Sequence, residues 1–330
     1  MEDEKIILQQ MEAARPDYDK QVGMFVIQAA NETLLEASKR PDPKPLWLSL
    51  WYEGETCCCF ADSNVGKSAY AVQMATAISS SRKVLYFDFE LSSKQFQRRY
   101  TNAETGQLYK FPSNFFRVEI NPESLSVNTD FEAQVIHDIE DAALQAQSDC
   151  LIIDNLTWLC AESEKGDAAG RLMISLLKLK MKYGWSLLVL AHTPKRNLSN
   201  PITQNDLAGS KKLFNLFDSV FSIGFSARDS SLRYVKQLKV RDGAFEYGKE
   251  HVIVCELDKE DSFLGFRTIG FANETEHLQE PKKETVEAQM AEIKRLKEHE
   301  HMSVREIADA LGMSKSSAQR YIKKLQSQQP

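Results

Sequence analysis

The sequence has 330 residues, of which 42% are hydrophobic and 27% charged. A chain of this length and composition can bury a large core, which excludes a disordered chain and favours one large domain with one or two small ones. The net charge of −6 argues against a uniformly basic nucleic-acid binder, and the lack of an 18-residue apolar run or a basic-then-apolar amino terminus disfavours membrane insertion and secretion.

Positive charge is concentrated at the carboxyl end of the chain. Residues 281–330 contain ten Lys or Arg against seven Asp or Glu, a net charge of +3. The rest of the chain therefore carries a larger net negative charge than the chain as a whole. If any segment of this protein meets nucleic acid through charge, we expect it to be this one.

The cysteines do not form a metal or disulfide pattern. Three of them are consecutive, and neighbours on a strand face opposite sides, so these three cannot close one metal site. We expect them to be small apolar strand residues in a reduced, cytoplasmic compartment. The six cysteines are Cys57, Cys58, Cys59, Cys150, Cys160 and Cys255.

Residues 1–45 are charged and helical in pattern, and they end in prolines. Their apolar positions leave a narrow stripe that must dock on something. It packs either on its own domain or on a neighbouring subunit, and the pattern leaves both open. The stripe consists of Val22, Phe25, Val26, Ala29 and Leu34.

Residues 46–271 alternate between strand-like and helix-like runs, which is typical of a mostly parallel sheet flanked by helices. We therefore expect an α/β domain here. The predicted strands include 83–89, 115–120, 150–154, 186–191 and a late series of hairpins from 219 to 270.

Residues 60–68 end an apolar run and open a helical pattern, which is the strand, loop and helix order of a phosphate-binding P-loop. Loop amides and the first helical turn would converge on a polyphosphate. Ala61 replaces the first glycine of GxxxxGK[ST], and a left-handed backbone there would cost about 1–2 kcal/mol. The expected nucleotide-binding residues are Ala61, Asp62, Ser63, Asn64, Val65, Gly66, Lys67, Ser68 and Ala69.

Three of these residues predict the chemistry of the loop. Lys67 would place its ammonium between the β- and γ-phosphates of ATP, and the Ser68 hydroxyl would join the coordination shell of Mg²⁺, which prefers oxygen ligands. Gly66 would let the backbone approach closely.

Two later strands end in acidic residues, Glu90 and Asp154. Because the carboxyl ends of parallel strands meet at the ligand crevice, Glu90 is expected to orient or deprotonate an attacking water, and Asp154 to hold Mg²⁺. A surface carboxylate at a strand end is the alternative for Glu90.

Further polar groups follow later strands. His192 ends a third buried run and would sense the γ-phosphate, unless it is a structural histidine. Lys239 and Arg241 alternate on one strand face. They fit either a solvated edge or cations supplied to a neighbour's nucleotide, where an arginine finger contributes about 10³–10⁵ in rate.

The ordered set of these motifs resembles that of RecA-like ATPases. It also includes the run Asp, Leu, Ala, Gly, Ser at 206–210 and Lys, Val, Arg, Asp, Gly at 239–243. Over about residues 46–257 it is most similar to hexameric helicases of the DnaB type and their plasmid RepA-type relatives. The resemblance implies a RecA-like core that uses ATP and Mg²⁺ in a homo-oligomeric ring, with each nucleotide between subunits.

The resemblance also implies roles for single residues. Glu90 would activate water, Lys239 and Arg241 would act in trans, and the loop 193–206, with Lys195 and Arg196, would face single-stranded DNA in the ring centre. His192 stands where the DnaB type tends to carry Gln, and a large amino-terminal helicase domain is not seen. A processive replicative helicase is therefore not implied.

Residues 272–284 have linker composition, and 285–330 have the pattern of a small helical module. A Ser303–Glu306 capping box opens one helix and Ser314 opens a second. The pattern resembles a helix-turn-helix or winged-helix module, with a protein-docking helical pair as the alternative. Expected base-edge contacts are Ser316, Ser317, Gln319 and Arg320, and expected phosphate contacts are Lys315, Lys323 and Lys324.

Together these patterns predict a cytoplasmic RecA-like ATPase with a DNA-binding module. The leading hypothesis is a helicase-like or translocating ring, expected to be a hexamer, from a plasmid, phage or mobile element. The alternative is a DNA-binding regulator of replication, transposition or transcription that ATP controls. A small-molecule kinase is disfavoured by the carboxyl-terminal module.

Overall fold

A computed structural model describes residues 21–124, 131–159, 167–194, 196–208, 211–280, 283–298 and 302–326. Within these ranges a nine-stranded sheet carries helices on both faces, and three helices follow at the carboxyl end. The α/β class expected from the sequence is confirmed. In the described ranges, every helix is too short or too polar to cross a bilayer.

The strands and helices have the following bounds. The strands are β1 Gln21–Val22, β2 Phe25–Val26, β3 Pro45–Trp47, β4 Trp51–Tyr52, β5 Thr56–Ala61, β6 Val84–Asp88, β7 Phe115–Val118, β8 Cys150–Asp154, β9 Ser186–His192, β10 Ser219–Phe225, β11 Leu232–Lys239, β12 Val252–Glu260 and β13 Phe263–Ala272. The α-helices are Ala30–Ser38, Lys67–Ile78, Ser93–Arg99, Phe131–Ala146, Leu156–Leu159, Asp167–Tyr183, Lys211–Leu216, Lys283–Glu298, Val304–Ala310 and Lys315–Gln326. Short 3-10 helices span Pro122–Ser124, Gln204–Asp206 and Glu274–His277.

The order of the strands in the large sheet is β13-β12-β11-β10-β5-β9-β8-β6-β7. The six strands from β10 to β7 run parallel, and β11, β12 and β13 add antiparallel hairpins. Because β5, β6, β8 and β9 are parallel neighbours, their carboxyl ends lie at one edge of the sheet. The register sets Ala61 beside His192 and Asp88 beside Asp154.

The central strands are apolar on both faces, as strands covered by helices must be. Cys57 and Cys59 pack with the helix Lys67–Ile78, while Cys58 and Phe60 pack on the opposite face. These cysteines are buried and unpaired, which confirms their expected role as small apolar residues. Burial raises the pKa of the Cys57 thiol well above its ordinary value.

The amino-terminal segment is only partly helical, in contrast to the helical pattern that its sequence shows. Residues 21–26 form the hairpin β1–β2, with Gly23 in a left-handed conformation, and only Ala30–Ser38 is helical. A left-handed turn interrupts a helix, and the helical spacing of apolar residues did not reveal it. The apolar stripe stays exposed, at 66% for Phe25 and 75% for Val26. Residues 1–20 of the predicted segment lie outside the described ranges.

The expected linker at 272–284 is also corrected, because its first part is packed against the large domain. Strand β13 continues to Ala272, and the 3-10 helix Glu274–His277 buries both Glu274 and His277. Glu274 forms an ion pair with Lys236 of β11, and its other oxygen accepts from the Ile202 amide at 2.8 Å. The polar composition of this segment therefore did not reveal that two of its side chains are buried and paired.

The three carboxyl-terminal helices form a small core of their own. Ile293, Ile307 and Ile322 meet there, each from a different helix. The predicted capping box is present, since the Ser303 hydroxyl accepts from the Glu306 amide and Glu306 accepts from the Ser303 amide.

Candidate active site

The P-loop joins β5 to the helix Lys67–Ile78 as the sequence predicted. Ala61 is the last residue of β5, and the left-handed conformations belong instead to Asn64, with φ 63°, and Gly66, with φ 106°. The backbone cost that we considered for Ala61 therefore does not arise, since a strand conformation suits alanine. Asn64 occupies the position that needs tolerance of positive φ.

Gly66 also brings the P-loop close to the β12–β13 hairpin. A Cβ atom at this residue would lie 2.8 Å from Phe266 Cζ and 3.0 Å from Leu257 Cδ2. A side chain here would therefore be strained by the left-handed φ and would meet the Phe266 ring.

Lys67, His192 and Glu90 form a chain of polar contacts across the carboxyl edge of the sheet. Lys67 Nζ lies 3.3 Å from His192 Nδ1, and His192 Nε2 lies 3.1 Å from Glu90 Oε1. An ammonium only donates, so Nδ1 must accept and the Nε2–H donates to the carboxylate. His192 thus connects the P-loop lysine to the acid that we expect to activate water.

Glu90 accepts a second hydrogen bond from Asn155 Nδ2. The pKa of Glu90 is lowered, chiefly by the hydrogen bond from His192, while burial opposes the shift. The group is therefore a carboxylate at neutral pH, the form that can accept a proton from water.

Asp154 is buried at the end of β8. Burial raises the pKa of its carboxyl, and Lys67, Ser68 and Tyr86 oppose the rise. Oδ2 accepts from the Tyr86 hydroxyl at 2.5 Å, whereas Oδ1 has no hydrogen-bond partner within the described ranges. A buried carboxylate oxygen without a hydrogen-bond partner, near a serine hydroxyl, is a suitable ligand for hydrated Mg²⁺, which prefers oxygen ligands.

Asp88 fixes the turn that carries Glu90. Its Oδ1 accepts from the amides of Glu90, at 3.2 Å, and Leu91, at 2.9 Å. Its Oδ2 accepts from Arg117 Nε at 2.8 Å. The sequence analysis did not identify Asp88 or Arg117, because the pairing between neighbouring strands becomes visible only in the folded sheet.

Lys67, Ser68, Glu90 and His192 line a cavity of about 490 Å³ at this edge, whereas Asp88, Asp154 and Asn155 are buried and do not line it. That volume lies within the usual range for small-molecule sites. Arg99, Leu257 and Leu264 also line the cavity, although the sequence did not predict them. Of the three, only Arg99 is close in sequence to a predicted site residue, since its helix follows Glu90. The cavity is lined by Asp62, Ser63, Asn64, Gly66, Lys67, Ser68, Ala69, Glu90, Arg99, His192, Leu257 and Leu264.

Arg196 was predicted to contact DNA, which requires an exposed side chain, but its side chain is buried. Its side chain is only 7% exposed, and its Nε lies 3.0 Å from Asp62 Oδ2 in the P-loop. Its Nη1 donates to the Asn200 carbonyl at 3.1 Å. Since these contacts use the guanidinium, we withdraw Arg196 as a DNA contact. Lys195 lies outside the described ranges.

Lys239 and Arg241 lie at the opposite edge of the sheet from the P-loop. Arg241 Nη1 is 2.8 Å from Asp218 Oδ1, and the Thr56 amide at the start of β5 donates to Asp218 Oδ2 at 2.9 Å. Lys239 Nζ donates to the carbonyls of Phe214 and Asn215 at 3.3 Å. Neither cation can therefore reach the nucleotide site of its own chain.

The helix Lys315–Gln326 carries the predicted DNA contacts. Its Ala318 and Ile322 are buried against the other two helices. Ser317 is half-buried, and its hydroxyl and amide both contact the Ser314 hydroxyl, which caps the helix. The remaining predicted contacts lie on one exposed face, namely Lys315, Ser316, Gln319, Arg320, Lys323 and Lys324.

Two family models match this chain. One, described as an AAA domain, covers residues 25–197, which is just over half of the chain. The other, described as a winged helix-turn-helix DNA-binding domain, covers residues 293–328. The comparison with curated proteins found no match.

Among solved structures, the chain is similar to a KaiC-like protein from the hyperthermophilic archaeon Pyrococcus horikoshii OT3. The two share 13% sequence identity, with a TM-score of 0.48. The alignment covers 66% of this chain and 91% of the other.

Proposed function

The chain belongs to the AAA domain family of P-loop ATPases, and from that membership we propose that it hydrolyses ATP with Mg²⁺ and couples hydrolysis to DNA binding. The main support is that Lys67, Ser68 and Glu90, from two separate stretches of sequence, line one crevice, and that the buried carboxyl of Asp154 interacts with Lys67 and Ser68. The winged helix-turn-helix match supports the DNA-binding part.

In this proposal the P-loop binds the triphosphate. The loop amides and the amino-terminal turn of the helix Lys67–Ile78 would contact phosphate oxygens, with the helix dipole favouring the negative charge. Lys67 would turn from His192 Nδ1 to the β- and γ-phosphates. Ser68 and Asp154 would hold Mg²⁺, which neutralises charge that develops on the phosphates.

Glu90 would act as the general base for hydrolysis. Its carboxylate would take a proton from a water that attacks the γ-phosphorus, the bond from the γ-phosphorus to the β–γ bridging oxygen would break, and ADP would be the leaving group. His192 would lose its contact with Lys67 when the γ-phosphate enters, and so would report the presence of ATP to the segment that follows it.

We further propose that the chain assembles into a ring, expected to be a hexamer, like the DnaB- and RepA-type helicases. Lys239 and Arg241 would then complete the nucleotide site of the next subunit. Their position at the far edge of the sheet supports this, since they have no access to the site in their own chain. A single DNA strand would occupy the ring centre.

Two modes of action fit a chain of this kind from a plasmid, phage or mobile element. In the first, hydrolysis drives translocation or unwinding. In the second, ATP controls a DNA-binding regulator without motion, and the sequence-reading module at residues 293–328 favours this one.

Two assays test the function. We expect Mg²⁺-dependent release of phosphate from ATP that rises when DNA is added, and an absence of hydrolysis under both conditions would overturn the proposal. Strand displacement on a forked duplex then separates the two modes, because hydrolysis stimulated by DNA without displacement identifies the regulator.

A further inference from the structure

The Glu90 carboxylate accepts a hydrogen bond from a second side chain besides His192. We propose that Asn155 is a positioning residue that keeps Glu90 oriented for catalysis whether or not nucleotide is bound. This inference rests on the proposed ATPase function, in which Glu90 is the base.

Asn155 lies directly after Asp154, at the end of the central strand β8, and is 1% exposed. Its Nδ2 donates to Glu90 Oε1 and lies 3.0 Å from His192 Nε2. A carboxylate only accepts, so the amide nitrogen, not its oxygen, must face Glu90. The contact therefore fixes the orientation of both side chains.

Both donors use the same oxygen of Glu90. His192 Nε2 and Asn155 Nδ2 contact Oε1, and no residue in the described ranges bonds to Oε2. The side chain of Glu90 is 36% exposed and lines the cavity. This arrangement leaves Oε2 to accept a proton from water while Oε1 anchors the group.

The two donors respond differently to nucleotide. His192 is coupled to Lys67 through Nδ1, so a phosphate that attracts the lysine also alters the histidine. Asn155 is buried directly after strand β8 and is not among the residues that line the cavity. Its hydrogen bond consequently persists when the contact between Lys67 and His192 is lost.

The chemistry of the amide gives a specific signature. An amide does not titrate, and its donation contributes to lowering the pKa of Glu90. A carboxylate in its place would remove the donor and add a like charge, which raises the pKa of a neighbouring acid. The added charge alone raises this pKa in Asn155→Asp, so the specific signature is a rise in Asn155→Ser, which removes the amide donor without adding charge.

The test compares Asn155→Asp and Asn155→Ser in the full chain, with Asn31→Asp on the exposed helix Ala30–Ser38 as the control. We expect kcat for ATP hydrolysis to fall about 100-fold in both Asn155 variants, the lower end of the effect of a general base. KM for ATP should change less than about threefold, because Asn155 does not line the cavity. The acidic limb of the kcat profile should move to higher pH in Asn155→Ser, which lacks the amide donor, and further in Asn155→Asp, which also adds charge.

Glu90→Gln, measured in parallel, distinguishes a failure of the role proposed for Asn155 from a failure of the role proposed for Glu90. If Glu90→Gln is inactive while both Asn155 variants keep the wild-type kcat and pH profile, the role of Asn155 is wrong and the ATPase proposal stands. If Glu90→Gln keeps full turnover, Glu90 is not the base and both fail. If Asn155→Asp does not fold, Asn155→Ser decides through its ratio of kcat to KM, and an equal loss of ATP affinity and rate would indicate a structural residue.

Discussion

The side chains of the nucleotide site compensate one another's charge. Lys67 contacts His192, which contacts Glu90, and Lys67 also opposes the rise in the pKa of buried Asp154. One buried cation thus supports two acids, so removing it affects both binding and the state of the carboxylates.

Lys67→Ala should lower ATP affinity about 100-fold, because charge-assisted hydrogen bonds to phosphate contribute about 1.5–3 kcal/mol in the free energy of binding. Titration with a fluorescent ATP analogue measures this. Lys178→Ala, at an exposed position on the helix Asp167–Tyr183, serves as the control. Wild-type affinity in Lys67→Ala would contradict the assignment of the P-loop.

Glu90→Gln should keep ATP affinity within about threefold and lower kcat by about 10²–10⁴, the usual contribution of a general base. In the wild type, the lowered pKa of Glu90 keeps the carboxylate charged down to a pH below the ordinary glutamate value. Turnover should therefore fall only as pH drops through that lowered pKa. Phosphate release across a pH series checks both expectations, and unchanged turnover in the variant would place the base elsewhere.

The positions of the two acids at the strand ends could be predicted from the sequence, whereas the residues that orient neighbouring side chains could not. Glu90 and Asp154 follow from a general rule about the ends of parallel strands. Asn155 and Asp88 act through neighbours from other strands, so no local pattern marks them. Arg196 was misassigned because a cation in a polar loop looks solvated, whereas its partner Asp62 lies 134 positions earlier.

At the scale of elements, the segment after β9 is attached to both the nucleotide site and the carboxyl-terminal connection. Arg196 binds Asp62 of the P-loop, and Ile202 contacts both Glu274 and Lys236. A change at the P-loop therefore has a contiguous physical route toward the 3-10 helix Glu274–His277.

Arg196→Gln should destabilise the protein by about 3–5 kcal/mol, because it leaves the Asp62 carboxylate without its partner. It should also weaken ATP binding, since an uncompensated negative charge would remain in the P-loop. Urea denaturation and ATP titration measure the two effects.

The double variant Asp62→Asn/Arg196→Gln should recover part of the stability. Arg267→Gln, whose exposed pair with Glu256 contributes at most about 1 kcal/mol, is the control. A loss of DNA binding with normal stability and ATP affinity would instead restore Arg196 as a DNA contact.

Element boundaries were predictable where one strong pattern covers a whole element. Residues 150–154 were expected to be a strand, and the structure has the strand Cys150–Asp154. The hairpin at 21–26 and the packed 3-10 helix were missed. Two-residue strands have no periodicity, and buried ion pairs look like solvent-exposed charge in a sequence.

At the scale of the whole molecule, the proposed ring makes a sharp prediction about mixed subunits. Arg241→Ala and Glu90→Gln should each hydrolyse ATP poorly alone. In an equimolar mixture that exchanges subunits, about one quarter of the sites would combine an intact Glu90 with an intact neighbouring Arg241 and regain turnover. Phosphate release from the mixture checks this.

A mixture no more active than its components would mean that Arg241 does not act in trans. Arg267→Ala, an exposed arginine on β13, is the matched control and should keep wild-type activity alone. Its inactivity would show that the loss in Arg241→Ala is not specific to the proposed finger.

The anchoring of the Glu274–His277 segment limits how far the carboxyl-terminal helices can travel. The Gln279 amide still donates to the Leu198 carbonyl at 3.2 Å, and the helix Lys283–Glu298 begins four positions later. The four steps of the backbone from Gln279 to Lys283 extend at most about 14 Å. So short a tether keeps any duplex held by these helices beside the ATPase core, at a high effective concentration that needs no additional contact.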